Sequence, residues 1–273
     1  MTSREELPRF VEPMLARPGN APAAEGWTIE LKLDGCRGQL RADRGAWCLR
    51  SRPGRDCGDG FPETVALAEA LSAHRAVLDG ELVCLGEDGK PDFHALRPRM
   101  LGRAGARPAT FAAFDLLHLD GHSTRRLPLA RRRALLRELL PADGEGWCVV
   151  APLTGPVDDV VRVVAAARLE GVVAKRLDAP YEPGARSGAW LKHKLRRSET
   201  FLVSGWAPAR DRRPETVYLV REDGRPAGAA AFGLTRQERE RIRAAEAGLR
   251  VVVDFHGSAE RPLRDAVMRR LVT

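Results

Sequence analysis

The chain has 273 residues, enough for one large or two modest domains, and its 44% hydrophobic content can form a packed core. Its net charge of +8 favours a polyanionic partner such as nucleic acid. No apolar run approaches the roughly 18 residues of a membrane span, and the five cysteines lack the CxxC spacing of a zinc site or the pattern of a disulfide framework. Together these properties predict a cytoplasmic protein with reduced thiols and no membrane partner. We also expect a monomer.

Alternating apolar residues over 27–33 predict a strand whose other face carries two charged side chains, Glu30 and Lys32. Asp34-Gly35 then predicts a turn directly after the strand. The further elements predicted in this part are two strands around a turn at Arg44-Gly45, a helix over 62–72 with Asp59 as its candidate cap, and strands over 77–85 and 110–116.

Residues 128–140 predict an amphipathic helix, because Leu129, Leu136 and Leu140 lie on one stripe. We place the Arg131-Arg132-Arg133 cluster largely off that stripe and interpret it as a solvated face. The remaining elements predicted before residue 198 are a helix over 156–169 and strands over 172–175 and 190–195. Mixed strands and helices of this kind predict an α+β fold and not a doubly wound one.

The pattern of predicted elements changes after Ser198, where short strands dominate. The elements predicted here are strands over 201–206, 217–220 and 249–255, a hairpin turn at Glu222-Asp223-Gly224 and a helix over 235–247. About five short strands and one helix predict a small barrel of the oligonucleotide-binding (OB) kind, with a small β-sandwich as the alternative.

Lysine is rare in this chain, with only five among 45 basic residues. Arginine keeps its proton in proteins and cannot serve as an amine nucleophile, so a retained lysine is a candidate for chemistry. Four of the five lie in three short segments: Glu30–Arg37, Glu170–Arg176 and Trp190–Lys194. This distribution predicts lysine chemistry on a phosphate-rich substrate.

Several short motifs follow one another in a fixed order, and their combination is far more specific than any one of them. They are Lys32-x-Asp34-Gly35-x-Arg37, Ser51-Arg52, Asp79-Gly80-Glu81, Phe114-Asp115, Glu170-Gly171-Val172-Val173-Ala174-Lys175 and Trp190-x-Lys192-x-Lys194. Over residues 11–264 the chain resembles the covalent nucleotidyltransferases, specifically ATP-dependent DNA ligases, and within them the ligase module of bacterial non-homologous end joining. The resemblance implies a nucleotidyltransferase (adenylation) domain over 1–196, with antiparallel sheets and flanking helices, and an OB-fold domain over 197–273.

The resemblance also implies the residues of the site. A neutral lysine amine can attack the α-phosphorus of ATP, and neighbouring cations favour the neutral form. The implied catalytic residues are Lys32 as nucleophile, with Lys192 and Lys194 clamping the α-phosphate.

The implied ATP or AMP contacts are Glu30 and Phe114 with adenine, Arg52 and Glu81 with ribose, and Arg37 as a neighbouring cation. Phe114, judged from its strand alone, is equally a core residue.

The implied metal ligands are Glu81 and Glu170, which would bind Mg²⁺, with Mn²⁺ as an alternative. The implied DNA contacts are Arg52 and Arg264.

The function implied is the sealing of nicked or broken double-stranded DNA through a lysyl-AMP and a 5′-adenylated DNA, with end-joining proteins as candidate partners. An RNA ligase, an mRNA-capping guanylyltransferase and a non-catalytic DNA-end-binding module stay open as alternatives. Lys175 is left between two roles, a phosphate contact and a brace for Glu170. The chain as given ends at Met268–Thr273 without the Asp-Lys pair of related ligases, which predicts slow self-adenylation.

Overall fold

The computed structural model describes residues 5–101, 107–209, 215–244, 248–256 and 263–272. Two compact units are formed, Met1–Val164 with Gly171–His193, and Ala165–Glu170 with Lys194–Thr273. The α+β fold class with a terminal barrel is confirmed. The domain boundary between residues 196 and 197 stays a prediction. Among the helices described, none has the length and apolarity needed to cross a membrane.

Strands and α-helices alternate irregularly in the described residues before Arg197. The strands are β1 (Arg17–Pro18), β2 (Trp27–Leu31), β3 (Cys36–Asp43), β4 (Ala46–Ser51), β5 (Arg75–Cys84), β6 (Ala109–Leu119), β7 (His122–Ser123), β8 (Asp143–Gly144), β9 (Trp147–Val149), β10 (Pro152–Leu153), β11 (Gly171–Arg176) and β12 (Trp190–Lys194). The helices are α1 (Thr64–Ala70), α2 (Phe93–Met100), α3 (Leu129–Leu139) and α4 (Val157–Ala166).

Two sheets organise the first unit. One has the strand order β1-β12-β11-β2-β10, and the other has β4-β3-β5-β6-β9-β8 with β7 added on β6. The predicted hairpin between β3 and β4 closes at Arg44 and Gly45, whose φ angles are 51° and 97°. A left-handed pair of this kind suits the twist of a two-residue hairpin turn. Most elements predicted from alternation are therefore present, with ends that differ by a few residues.

The second sheet covers an apolar core, and a smaller cluster lies beside it. The core includes Leu40, Leu49, Phe61, Leu78, Phe111 and Trp147, all buried. The smaller cluster contains Met14, Phe114, Tyr181 and Trp190. The second cluster matters for function, because residues of the predicted motifs take part in it.

One helix differs in its cap from the prediction, and another helix was not predicted. Helix α1 has Glu63 at its N-cap position without a side-chain cap, and Asp59 lies instead in a 3₁₀ turn over Gly58–Gly60. Helix α2 was not predicted, although Asp92 caps it by accepting a 3.0 Å hydrogen bond from the His94 amide. The helix contains Pro98 in its interior, where proline normally interrupts a helix.

Helix α3 corrects the interpretation of the arginine cluster. Arg132 and Arg133 are buried, whereas Arg131 is exposed. The two buried arginines lie three and four residues after Leu129 and therefore share its face of the helix. The solvated-face interpretation holds for Arg131 alone.

The second unit is a closed five-stranded barrel, which confirms the OB-like prediction over the sandwich. Its elements are β13 (Arg197–Ala207), β14 (Thr216–Val220), β15 (Pro226–Phe232), β16 (Arg250–His256), β17 (Arg264–Leu271) and α5 (Arg236–Ala244). The barrel interior is apolar, with Phe201, Val217, Val253, Phe255 and Met268 buried together. The β14–β15 connection at 221–225 is the predicted hairpin. The last residues of the predicted helix, 245–247, lie outside the described residues.

Candidate active site

Lys32 follows β2 directly and is held by the neighbouring strand. Its backbone amide donates a 2.9 Å hydrogen bond to the carbonyl of Gly171, at the start of β11. Gly171 has a φ of 144°, a conformation that side chains rarely adopt, so this contact depends on glycine. The backbone of Lys32 is thus fixed by the same Glu-Gly-Val-Val motif that the sequence placed in the site.

The turn after Lys32 packs against β5. A Cβ atom on Gly35 would lie 2.2 Å from the Leu82 carbonyl oxygen and 2.8 Å from Glu81 Cγ. Because these distances are too short for any side chain, glycine allows the Lys32 loop and the Glu81 side chain to touch. Gly80 is equally confined, with the Phe111 ring 2.6 Å from an added Cβ. The close packing at Gly35 and Gly80 explains why each of their two motifs contains a glycine.

The strand order of the first sheet brings the lysine strands close. Strand β12, which carries Lys192, lies next to β11, and β11 lies next to β2. Lys192 is half-buried, and its carbonyl accepts a 3.3 Å hydrogen bond from Gly19. Lys192 and Lys194 alternate on β12 and therefore share one of its faces, as predicted.

Lys194 contacts two carboxylates within the second unit. Its Nζ lies 3.5 Å from Glu170 Oε1 and 3.1 Å from Asp265 Oδ2. Glu170 is buried with 8% exposure, and its carbonyl accepts a 2.9 Å hydrogen bond from Leu195. The predicted metal ligand is thus an ion-pair partner of the predicted phosphate-binding lysine.

Glu30 is 2% exposed and lies between two cations. Arg133 pairs with its Oε1, and Lys175 Nζ lies 2.6 Å from its Oε2. The register explains the second pair: Glu30 lies opposite Val173, so Lys175 is its diagonal neighbour on the same face. Lys175 therefore braces Glu30, a partner that the sequence did not identify. Burial lowers the pKa of Lys175, and the Glu30 carboxylate acts in the opposite direction.

Phe114 is 9% exposed and belongs to the cluster around Trp190. Lys175 Nζ lies 4.0 Å from its ring centroid, and the Arg37 guanidinium carbon lies 4.6 Å from it. Both distances are those of cation–π contacts. Phe114 is thus a core residue flanked by two cations in this structure, and its contact with adenine stays a prediction.

Arg37 binds the Asp79 carboxylate with two hydrogen bonds, from Nε at 2.6 Å and from an Nη at 2.5 Å. Tyr181 donates a third, at 2.6 Å, and the Met14 amide donates to the Tyr181 hydroxyl at 2.9 Å. Burial alone would lower the pKa of Arg37, but Asp79 raises it above its ordinary value. Burial and Asp79 both raise the pKa of Tyr181. This buried network fixes Arg37 relative to the motif on β5.

The two predicted DNA contacts lie on different elements. Arg52 is exposed in the turn after β4, and Arg264 begins β17. Within the described residues no group of three or more His, Cys, Asp or Glu side chains is arranged as a metal site. Glu81 beside the Lys32 loop offers oxygen ligands, which fits a cation that takes one protein carboxylate together with phosphate oxygens, as Mg²⁺ does.

Arg133 and Arg132 are the buried residues that sequence reasoning missed. Arg132 is fully buried and holds Asp115 with hydrogen bonds of 2.7 and 2.8 Å. Arg132 and Arg133 lie three and four residues after Leu129, and four and three residues before Leu136. This spacing places them on the same face of the helix as both leucines, and it could have been recognised in the sequence. The identity of their partners was not readable, since Glu30 lies about a hundred residues away in the chain.

Comparison with known proteins agrees with this geometry. The family described as ATP dependent DNA ligase domain matches residues 13–194. A multifunctional non-homologous end joining protein LigD of Mycolicibacterium smegmatis is 40% identical over 201 residues, which cover 73% of this chain and 26% of that protein. A LigD of Pseudomonas aeruginosa is 32% identical over 236 residues, covering 86% of this chain and 26% of that protein. The chain thus spans about a quarter of the length of these relatives.

Solved structures extend the likeness to nearly the whole chain. A mycobacterial DNA ligase D complexed with ATP and MES has a TM-score of 0.64 and 30% identity, and the match covers 96% of this chain and 95% of that one. The ligase domain of Mycobacterium tuberculosis LigD gives the same values. The resemblance read from the motifs is confirmed, and the chain belongs to the ATP-dependent DNA ligase family.

Proposed function

We propose that this chain seals breaks in double-stranded DNA in three steps, with ATP as its nucleotide. Deprotonated Lys32 Nζ attacks the α-phosphorus of ATP, forms a phosphoramidate bond and expels pyrophosphate. The AMP then passes to the 5′-phosphate of the break, which forms a pyrophosphate linkage and releases Lys32. The 3′-hydroxyl finally attacks that 5′-phosphorus, loses its proton and expels AMP.

The observation that carries this proposal is the anchoring of Lys32. Its amide is bound to Gly171, and the following turn is packed through Gly35 against Glu81. Because the backbone of Lys32 is held in this way, it loses little conformational freedom when ATP binds, which favours a near-attack geometry. A structural lysine at a strand end would not require two confined glycines and a neighbouring carboxylate.

The other motif residues have distinct proposed roles. Lys192 and Lys194 stabilise the charge that develops on the α-phosphate, and Arg37 adds a fixed cation. Glu30 accepts a hydrogen bond from adenine with Phe114 against the ring. Glu81 and Arg52 bind the ribose. Glu81 and Glu170 would hold Mg²⁺, or Mn²⁺, which when bound neutralises phosphate charge.

Residues 197–273 are proposed as the OB-fold domain that binds DNA, and residues 1–196 as the adenylation domain. Arg52 and Arg264 are the proposed DNA contacts, and the net charge of +8 favours such a partner. Because the relatives are named as non-homologous end joining proteins, we extend this role to the present chain. The same proposal places a monomeric enzyme in the cytoplasm with end-joining proteins as partners.

The proposal is tested by incubation with α-labelled ATP and a divalent cation, followed by denaturing electrophoresis. We expect a labelled protein band, and none with Lys32→Arg, because guanidinium has no available lone pair at neutral pH. Lys90→Arg is the matched control, since Lys90 is not among the proposed catalytic residues and pairs only loosely with Asp88 at 3.9 Å. Labelling of Lys32→Arg at the wild-type level would refute the assignment of the nucleophile.

Two further readouts separate the remaining alternatives. Label transfer from GTP in preference to ATP would indicate a capping-type enzyme. Sealing of a nicked DNA duplex, but not of a matched RNA, should accompany ATP labelling. DNA binding should weaken with salt, with a slope of about −0.9 per phosphate contact in a plot of log K against log salt. Binding without any adduct would indicate a non-catalytic end-binding module.

A further inference from the structure

Arg133 joins helix α3 to β2, the strand that directly precedes the proposed nucleophile. It is 4% exposed, and one end of its guanidinium pairs with Glu30 Oε1. The other end donates a 2.8 Å hydrogen bond to the Val150 carbonyl. Val150 directly follows β9, and its amide donates a 2.8 Å hydrogen bond to the Ala113 carbonyl, next to Phe114. One side chain thus connects both sheets on either side of the proposed adenine site.

The neighbouring Arg132 shows what a purely structural arginine looks like here. Arg132 and Asp115 are both fully buried and bind each other through two hydrogen bonds. The Arg132 guanidinium also donates to the carbonyls of Leu127 and Ala179, at 2.7 and 3.0 Å. Its donors therefore bind one carboxylate and two backbone carbonyls. Arg133 instead meets a carboxylate that already has a second cation, Lys175.

Two cations around one carboxylate are more than neutralisation needs. Taking charges out of water costs free energy that a single well-formed ion pair only about offsets. With Arg133 on Oε1 and Lys175 on Oε2, the carboxylate plane of Glu30 is fixed. An ionised carboxylate has about four acceptor positions, so each oxygen keeps acceptor capacity in a set direction.

We infer that Arg133 is a positioning residue that aims Glu30 at the exocyclic amino group of adenine and thereby sets the preference for ATP over 6-oxo purine nucleotides. The inference rests on the proposed function, because it requires Glu30 to face the base. A fixed carboxylate accepts a hydrogen bond from a 6-amino group. It repels a 6-oxo group, whose oxygen is also an acceptor. A carboxylate free to rotate would lose part of this discrimination.

The test compares lysyl-AMP-type adduct formation with three triphosphates: ATP, inosine triphosphate and purine riboside triphosphate, which lacks the 6-amino group. The variants are Arg133→Gln, Arg133→Lys and Glu30→Gln, with Arg132→Lys as the control on the same buried face. We expect Arg133→Gln to lower the ratio of kcat/KM for ATP to that for inosine triphosphate by about tenfold. That change corresponds to about 1.4 kcal/mol of lost discrimination. The ratio for Arg133→Lys should lie between those for wild type and Arg133→Gln. Arg132→Lys should keep the wild-type ratio, whatever its overall rate of adduct formation.

A merely structural role for Arg133 would lower the rate or the melting temperature of its variants and leave the ratio unchanged, and that result would overturn the inference. If Arg133→Gln does not fold, Arg133→Lys decides alone: a ratio lowered threefold or more supports the inference, and a wild-type ratio overturns it. Absence of any adduct in the wild type would instead reject the proposed function. A normal adduct with an unchanged ratio in Glu30→Gln would leave the ligase function intact and reject positioning through Glu30.

Discussion

The interior of the first unit and the interior of the barrel are built on different principles. The first unit has an apolar core, but it also buries charged groups, among them Glu30, Asp79, Asp115, Arg132, Arg133 and Lys175. The barrel core is formed by apolar side chains such as Phe201, Val253 and Met268. Ion pairs of the barrel, such as Arg269 with Asp254, lie where both partners keep contact with solvent.

The difference between apolar and charged interiors helps to distinguish residues that stabilise the fold from residues that serve function. Burial of apolar surface stabilises a barrel directly, at about 25 cal/mol per Å² removed from water. A buried ion pair is often no better than well-packed apolar residues of the same volume. Unlike the structural pair of Arg132 with Asp115, Glu30 and Lys175 are therefore poor candidates for simple stabilisers. They lie beside Phe114 and on the strand before Lys32, where a nucleotide is proposed to bind.

The largest effect expected from this contrast comes from removing one partner of a buried pair. Arg132→Met should destabilise the first unit by about 3–5 kcal/mol, because Asp115 would be left buried without a counter-charge. Arg269→Met, the matched change in the barrel, should cost at most about 1 kcal/mol, since Arg269 is 46% exposed. Hydrogen exchange read by mass spectrometry distinguishes the two units, as each opens with its own free energy. Equal losses in both variants would contradict the distinction between the two interiors.

A smaller effect is expected from adding one methyl group to a glycine. Gly35→Ala places a Cβ against the Leu82 carbonyl and should cost about 1–3 kcal/mol as an overpacked site. The shift should also displace Lys32, and a displacement of about 1 Å can slow chemistry roughly 10²-fold. Gly205→Ala in the barrel meets nothing within 4 Å and should change stability by less than about 0.5 kcal/mol.

The pair of glycine variants is read by urea unfolding together with the rate of adduct formation. A Gly35→Ala protein with wild-type adenylation would show that the close packing of the Lys32 loop on β5 is not needed. A strong loss of stability in Gly205→Ala would instead show that the barrel does not tolerate an added methyl group at its β13 bulge, where the register shifts between Val203 and Gly205.

Local patterns predicted the parts of the site that lie within one segment. The strand before Lys32, the turn at Asp34-Gly35 and the alternation of Lys192 with Lys194 follow from period-two spacing and turn chemistry. The motif order identified the family without any knowledge of contacts. These features could be predicted because each depends on residues only a few positions apart.

The partners of the charged groups could not be predicted in the same way. Lys175 meets Glu30 only through the register of β11 on β2, and Arg133 meets Glu30 only because α3 packs with its Leu129 face inward. Both facts depend on elements far apart in the chain. Helix α2, which was not predicted, contains Pro98 in its interior and packs against β5, so tertiary packing there overrides a local rule.

The smallest predicted effect is an acid-sensitive contribution of the barrel surface. Asp254 accepts hydrogen bonds from Ser198 and from Arg269 Nε, the latter at 2.6 Å, and together they hold the pKa of Asp254 below its ordinary value. A carboxyl whose folded-state pKa is lowered stabilises the fold above its ordinary pKa of about 3.9, and that contribution disappears as the pH falls through the folded-state value. Asp254→Asn should therefore be less stable than wild type by under about 1 kcal/mol at neutral pH, and the two should converge in acid. Denaturant unfolding of both proteins from pH 7 down to pH 3 checks this. A constant difference at every pH would show that the substituted amide fails through packing or hydrogen bonding and not through the lost charge.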